Sequence, residues 1–307
     1  MQVFTIGDAL KNSVLIKLIL CPVDFSESSV AAYHHALSLA DHYGSKLVVQ
    51  HVVELWRYPS SSFAASAGAY DEFWQAICEG SKEKLREFVN HHSPDGIQPE
   101  LVLQEGIAAD VILSLAQSQK ADLIVMGTHG HRGFDRLMVG SVTNRVMRRA
   151  PSPVLAVSKP HDPNGEAKEG RHVHHLNRIL FCTDFSQNSE RALDYALSVS
   201  AEYDAEVTLL HVLEGEERAQ VKEPAVSALT KQLDELVPPA ARAKLKIKTA
   251  VRVGKPYQQI IQLALESQSD LVAMGVHGRG AIDLAVFGST TYRVIQLGPC
   301  PVLAVHI

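Results

Sequence analysis

Gly127-Thr128-His129-Gly130, nine residues, then Gly140-Ser141: the pattern recurs as Gly275-Val276-His277-Gly278, nine residues, then Gly288-Ser289. Each copy follows a short apolar run, 122–126 or 271–274, and precedes a segment of helical period. A strand ending in a glycine-rich loop that opens a helix is a place where open α/β sheets hold anionic groups. Two copies in one chain predict two phosphate-binding sites.

The repeat extends well beyond the loops. Leu18-Ile19-Leu20-Cys21-Pro22-Val23-Asp24-Phe25-Ser26 matches Ile179-Leu180-Phe181-Cys182-Thr183-Asp184-Phe185-Ser186, with Asp24 over Asp184 at an offset of 160. His51-Val52 matches His211-Val212 at the same offset, whereas Gly106 and Gly254 stand 148 apart. The second copy is therefore twelve residues shorter between His211 and Gly254, where the first has the Ser/Ala/Gly-rich loop 60–69. An internal repeat of this kind decides the architecture. It predicts a first domain at 14–158, a polar linker with Pro160, Pro163 and Gly165 at 159–176, and a second domain at 177–307.

Within each half, short apolar runs alternate with helix-period segments. In the first half, strands are expected at 17–21, 47–53, 101–104, 122–126 and 154–157. Helices are expected after Ser26, an N-cap, and at 71–90, 108–119 and 141–149, the last stopped by Pro151 and Pro153. The second half repeats the strands at 179–182, 207–212, 248–253, 271–274 and 302–305. The fold class is α/β: two doubly wound, Rossmann-like sandwiches of five parallel strands each. Each half ends in an apolar edge strand, and an exposed apolar edge invites pairing. Residues 154–157 are therefore expected to lie against 302–305 as an internal pseudo-dimer.

The composition excludes several classes. With 307 residues and 46% hydrophobic content the chain can bury two cores. Its net charge of −5 gives no basic face for nucleic acid. No apolar run reaches the roughly 18 residues of a membrane span, and residues 12–21, with Lys17, read as a strand rather than a signal peptide. Cys21, Cys78, Cys182 and Cys300 form neither a CxxC pair nor a metal spacing, which points to a reducing cytoplasm and to cysteines used as small apolar residues.

The residue types suggest a cradle. Gly127 and Gly130, with Gly275 and Gly278, are expected to allow positive φ and close approach of backbone to a phosphate. Gly140, Ser141 and Val142, with Gly288, Ser289 and Thr290, stand where free N–H groups and the positive end of a helix dipole suit an anion. Asp24 and Asp184 follow the first strand of each half, where a carboxylate either meets a ribose or adenine edge or orders its own turn. His51 and His211 read as satisfied core or rim residues rather than ligands or bases. Arg132 and Arg279 are either solvated loop charges or contacts to distal phosphates.

The Pro-Val-Asp-Phe-Ser and Cys-Thr-Asp-Phe-Ser segments, the two His-Val strand ends, Val-Met-Gly-Thr-His-Gly and Ala-Met-Gly-Val-His-Gly, the two Gly-Ser helix starts and Pro-Val-Leu-Ala-Val twice together resemble a tandem universal stress protein of the UspA superfamily. That resemblance covers nearly everything outside the linker. It implies an adenine-nucleotide-binding fold and ATP, with Mg2+ held through the phosphates where it is present. Phosphate contacts are implied at Gly127, Gly130, Gly140, Ser141 and Val142. Adenosine contacts are implied at Pro22, Val23, Asp24 and Val52, with Met126 inside the matching motif. In the second half the matches are Gly275, Gly278, Gly288, Ser289 and Thr290, with Cys182, Thr183, Asp184, Val212 and Met274. Cys182 stands where the first half has Pro22, so the second site departs from the pattern.

Neither a GxxxxGK[ST] loop, a G-x-S-x-G elbow nor a kinase Asp motif occurs. Dedicated catalysis is not expected, and any ATP hydrolysis should be slow. The leading reading is a cytoplasmic, nucleotide-dependent regulator in a stress response, with the loop 59–69 able to close over a site. Its protein partner, and any homodimer beyond the internal pairing, are unspecified. The alternatives are a slow ATPase or nucleotide-dependent transferase, and a ligand-free interaction module. The linker histidines His161, His172, His174 and His175 are expected to be solvated rather than metal ligands.

Overall fold

Ten strands form one sheet in the computed structural model, in the order β3-β2-β1-β4-β5-β10-β9-β6-β7-β8. The structure describes residues 14–54, 67–93, 97–130, 138–158, 176–215, 223–276 and 288–306. The first half runs β1 (Leu18–Pro22), α1 (Glu27–Tyr43), β2 (Lys46–Val53), α2 (Ala67–His92), β3 (Glu100–Glu105), α3 (Ala108–Gln119), β4 (Leu123–Gly127), α4 (Ser141–Arg149) and β5 (Val154–Val157). The second runs β6 (Arg178–Cys182), α5 (Gln187–Tyr203), β7 (Glu206–Leu213), α6 (Glu223–Leu236), α7 (Pro239–Arg242), β8 (Lys246–Val253), α8 (Pro256–Glu266), β9 (Leu271–Gly275), α9 (Ser289–Leu297) and β10 (Val302–Val305). The twelve-residue shortfall falls largely in a helix, since α2 has 26 residues and α6 has 14 before the short α7.

Strand sequences that are apolar on both faces need cover on both. Alternate residues of β1 supply it. Ile19 and Cys21 belong to a core shared with α1, α2, α5 and α6, and Leu20 to a second core shared with α3, α4, α8 and α9. Ser26 and Ser186 cap α1 and α5, each side chain accepting from the backbone N–H three residues on. The apolar chain ends Val154–Val157 and Val302–Val305 pair antiparallel, Leu155 opposite Leu303, and all eight residues are buried. The expected apposition of the two edges thus merges both five-stranded halves into one sheet. Across this seam His42 stacks on Tyr203 at 4.1 Å and lies 3.2 Å from Glu202. Among the described residues no helix is long and apolar enough to cross a membrane, and no group of three ligating side chains could hold a metal ion. The linker histidines and residues 59–66 lie outside the described residues.

In each half the chain leaves β1 or β6 toward one side of the sheet and returns to pair with it on the other. β1 therefore lies between β2 and β4, and β6 between β7 and β9. These are the topological switch points, where the carboxyl ends of neighbouring strands open a crevice.

Candidate functional site

The first crevice is built from the turn after β1 and the loop after β4. The turn is tight. The Val23 N–H donates to the Gln50 carbonyl at 2.8 Å, and Asp24 Oδ1 accepts from the Ser26 N–H at 3.0 Å and from Ser26 Oγ at 2.5 Å. In the second half the Thr183 N–H donates to the Leu210 carbonyl at 3.0 Å, and Asp184 Oδ1 accepts from the Ser186 N–H and Oγ at 3.1 and 2.6 Å. One oxygen of each aspartate thus orders its own turn, the plainer of the two roles the sequence allowed. The other oxygen of Asp24 faces the glycine loop: a Cβ on Gly130 would stand 2.7 Å from Oδ2.

Between Asp24 and Ser26 the chain turns left-handed at a phenylalanine. Phe25 has φ 66° and Phe185 has φ 59°. An L-residue there costs about 1–2 kcal/mol, so its neighbours must hold it. The Phe25 ring packs on His51 at 4.4 Å and the Phe185 ring on His211 at 4.5 Å. Each histidine Nδ1 lies 2.8 Å from a carbonyl oxygen of the turn, that of Val23 or Thr183. A carbonyl only accepts, so Nδ1 carries the proton and the imidazoles serve as braces. This agrees with the satisfied core or rim role expected for both.

The loops after β4 and β9 are pinned at both ends. The Thr128 N–H donates to the Val157 carbonyl at 3.0 Å, and the Gly140 N–H returns to the Thr128 carbonyl at 2.7 Å. The Val276 N–H reaches the Val305 carbonyl and the Gly288 N–H reaches the Val276 carbonyl, at 3.0 and 3.2 Å. Each loop is thereby a closed ring of backbone at the end of its strand. Gly140 and Gly288 stand at the N-caps of α4 and α9, and neither helix has a side-chain cap. The contrast with α1 and α5 is informative, because an uncapped first turn presents N–H donors and the positive dipole end outward. Ser141 and Ser289, the first helical residues, are exposed.

The glycines are there for a reason the sequence reading missed. Gly127, Gly130, Gly140, Gly275 and Gly288 do not have positive φ; among the described glycines only Gly44, Gly106 and Gly254 do. Close packing requires most of them instead. A Cβ on Gly127 would stand 2.7 Å from the Ser28 carbonyl carbon, and one on Gly275 2.9 Å from that of Asn188. Both strand ends press on the first turn of the helix that follows the aspartate. Gly140 is roomier, its nearest neighbour being the Thr128 oxygen at 3.4 Å.

Beneath the loops lies an apolar wall. Met126 is buried in the core facing α3 and α4, and Val52 and Val142 pack against that core from its partly exposed margin. Met274 and Val212 occupy the positions of Met126 and Val52 in the second half, and Cys182, at the position of Pro22, joins them in the core facing α8 and α9. Burial raises the Cys182 thiol well above its ordinary range, so this side chain is a neutral, apolar substitute for Pro22. Pro22 and Val23 are buried and Asp24 and Thr290 are partly exposed, while Thr183 is buried with its Oγ 2.8 Å from Ser189 Oγ. The structure thus brings the aspartate turn, the glycine loop, the start of the next helix and the apolar wall to one crevice in each half. Gly278, Arg132 and Arg279 lie outside the described residues.

Two residues of the first crevice, Ser28 and Thr143, were not anticipated. Ser28 Oγ donates to the His129 carbonyl, which also receives Ser26 Oγ at 3.2 Å, so the helix after the aspartate grips the glycine loop. Thr143 Oγ donates to the Gly127 carbonyl at 2.8 Å, and Thr291 Oγ does the same to Gly275 at 3.1 Å. The signal was present: a threonine follows two residues after each Gly-Ser serine, in the same register in both halves.

The sequence profile described as the universal stress protein family matches residues 16–158 and again 175–306. A universal stress protein of Methanocaldococcus jannaschii is 31% identical over 163 residues, covering 52% of this chain and 93% of its own length. One from Mycolicibacterium smegmatis is 24% identical over 302 residues, covering 94% of this chain and 96% of its own. The crystal structure of a universal stress protein from Archaeoglobus fulgidus superposes with a TM-score of 0.66 over 94% of this chain and 98% of its own, at 22% identity, which is a likeness of fold. With two matches of the profile along its length, the chain belongs to the universal stress protein family.

Proposed function

We propose that each half binds an adenine nucleotide, ATP together with Mg2+, and that the protein acts as a nucleotide-dependent regulator in a stress response rather than as a dedicated enzyme. The observation that carries this reading is the convergence, at both switch points, of an ordered aspartate turn, a closed glycine loop and an uncapped helix start. In the first half Gly127, Gly130, Gly140, Ser141 and Val142 would hold the phosphates, and Pro22, Val23, Asp24, Val52 and Met126 would surround the adenosine. Gly275, Gly278, Gly288, Ser289 and Thr290 have the phosphate role in the second half, and Cys182, Thr183, Asp184, Val212 and Met274 the adenosine role. Arg132 and Arg279 would face the distal phosphates. The bound ion would offset phosphate charge.

The donor set favours binding over turnover. The backbone N–H groups and serine hydroxyls can hold an anion, and the buried valine and methionine side chains suit a flat apolar base. His51 and His211 already hold turn carbonyls through Nδ1, and His129 Nδ1 lies 2.8 Å from Thr128 Oγ1. Nucleotide occupancy would stabilise one arrangement of the loop and the helix start for a protein partner to read.

The test is the identity and stoichiometry of small molecules released on denaturing the purified protein, followed by calorimetry with ATP. Adenine nucleotide approaching two per chain is expected in the wild type, and loss of binding in a Gly140→Val/Gly288→Val double variant that keeps its native circular dichroism. Unchanged affinity and stoichiometry in that variant would refute the site assignment.

A further inference from the structure

The start of α9 lines a groove that the first half helps to build. Asn144 and Arg148 of α4 and Ser289, Tyr292, Arg293 and Gln296 of α9 line one open groove of about 660 Å³. Ser289 is the first residue of α9, whereas Arg148 stands near the far end of α4, in the other half. The groove therefore begins at the helix start of the second half and meets a guanidinium contributed by the first.

The groove is suited to anions. It contains two arginines, and no carboxylate is among its lining residues. Arg145 and Arg149 turn toward Asp110, at 3.7 and 2.9 Å. Arg148 instead lies along its own helix, its Nε donating to Asn144 Oδ1 at 2.8 Å, so both residues stand on the groove wall. Arg293 rests over the Tyr257 ring at 4.7 Å. A guanidinium matches phosphate geometry better than any other side chain.

The arrangement is not reciprocal. β5 pairs antiparallel with β10, and α4 and α9 follow the corresponding strands of the two halves. At the repeat offset of 148, Arg148 corresponds to Gln296, and Asn144 to Tyr292. The second half thus carries an amide at the position where the first carries a cation.

We propose that Arg148 is a cross-half contact for the distal phosphates of a nucleotide held at α9. The second site then favours tri- over monophosphates more strongly than the first, and its affinity depends on both halves. This rests on the nucleotide reading above.

Calorimetry with ATP and AMP on a Gly140→Val background isolates the second site. Adding Arg148→Gln should weaken ATP about three- to tenfold and leave AMP unchanged, with a shallower salt dependence for ATP. On a Gly288→Val background, Gln296→Arg should strengthen ATP at the first site and leave AMP unchanged. An ATP-to-AMP affinity ratio that does not move with Arg148→Gln, while Gly288→Val still abolishes second-site binding, overturns the cross-half contact and leaves the nucleotide reading standing. A wild-type chain that binds neither nucleotide overturns both.

Discussion

Replacing Gly127 with alanine separates a glycine required by packing from one available to a ligand. The added Cβ would stand 2.7 Å from the Ser28 carbonyl carbon and 2.8 Å from both its carbonyl oxygen and its Oγ. Favourable contacts between carbons begin near 3.5 Å, so β4 and the first turn of α1 must separate by about 1 Å. That turn is not free to retreat. Ser28 and Ser29 are buried, Ala32, Tyr33 and Ala36 are fully buried beneath them, and Ser28 Oγ holds the His129 carbonyl. Forcing a methyl group into such packing costs about 1–3 kcal/mol.

Gly140→Ala is the control. Its nearest obstacle is the Thr128 oxygen at 3.4 Å, and its φ of −56° suits any residue. The loss there should stay below about 1 kcal/mol, the value of a weaker N-cap. Urea unfolding followed by circular dichroism should therefore give a clearly lower midpoint for Gly127→Ala than for Gly140→Ala at similar slope. Gly275→Ala should fall between them, its closest contact being 2.9 Å. A Gly127→Ala protein as stable as wild type, or one less affected than Gly140→Ala, would refute the packing argument.

Lys120, the exposed C-cap of α3, sits at φ 54°; Lys120→Gly should stabilise by about 0.5–1 kcal/mol in urea melts, the left-handed penalty outweighing the added chain entropy. Native protein treated with a maleimide near neutral pH should gain one adduct, at Cys78, because Cys21, Cys182 and Cys300 are buried and burial pushes the Cys300 thiol up to about 12; further adducts by mass spectrometry under native conditions would contradict the packing. Burial pushes the Tyr33 phenol from 10 up to about 12, so the unfolded phenol ionises first. Stability from this group is complete below pH 10 and is lost as pH rises toward 12; Tyr33→Phe should flatten that part of an alkaline stability profile, and an unchanged slope would contradict the assignment.

Much of this fold was legible because its signals are local. Helix α3 at Ala108–Gln119 and helix α4 at Ser141–Arg149 fall where the periodicity and the following Pro151 placed them. The pairing of Val154–Val157 with Val302–Val305 followed from two apolar edges in one chain needing cover. What stayed hidden depends on contacts distant in sequence. Glycine spacing says nothing about which backbone presses on it, so the expectation for Gly127 was positive φ and close approach to a phosphate, whereas the neighbour that presses on it is Ser28. Ser28 and Thr143 carry no motif on their own. Only the strand order places one against the His129 carbonyl and the other beneath that of Gly127. The left-handed Phe25 and Phe185 defy local preference and are held by histidines from the neighbouring strand.

Comparing the halves shows which features the duplicated backbone demands. The pairs that recur all touch main chain: Ser26 and Ser186 at helix starts, His51 and His211 on turn carbonyls, Thr143 and Thr291 on strand-end carbonyls. Divergence takes two forms: Ser28, which holds the His129 carbonyl, is replaced by Asn188, and a side-chain pair is exchanged whole. In the first half Gln50, fully buried, donates from Nε2 to Gln104 Oε1 at 2.7 Å. At the matching positions the second half has Leu210, buried in the core, and Arg252, which is paired with Glu266. Groups that hold main-chain carbonyls mostly recur because changing them would move the turn, whereas neighbours on a wall can be exchanged together. The proposed phosphate cradle, built almost wholly from backbone, should therefore be geometrically alike in the two halves. If both halves bind nucleotide as proposed, differences in their affinity would arise from the walls, where Pro22 matches Cys182, Gln104 matches Arg252 and Gln296 matches Arg148 across the repeat.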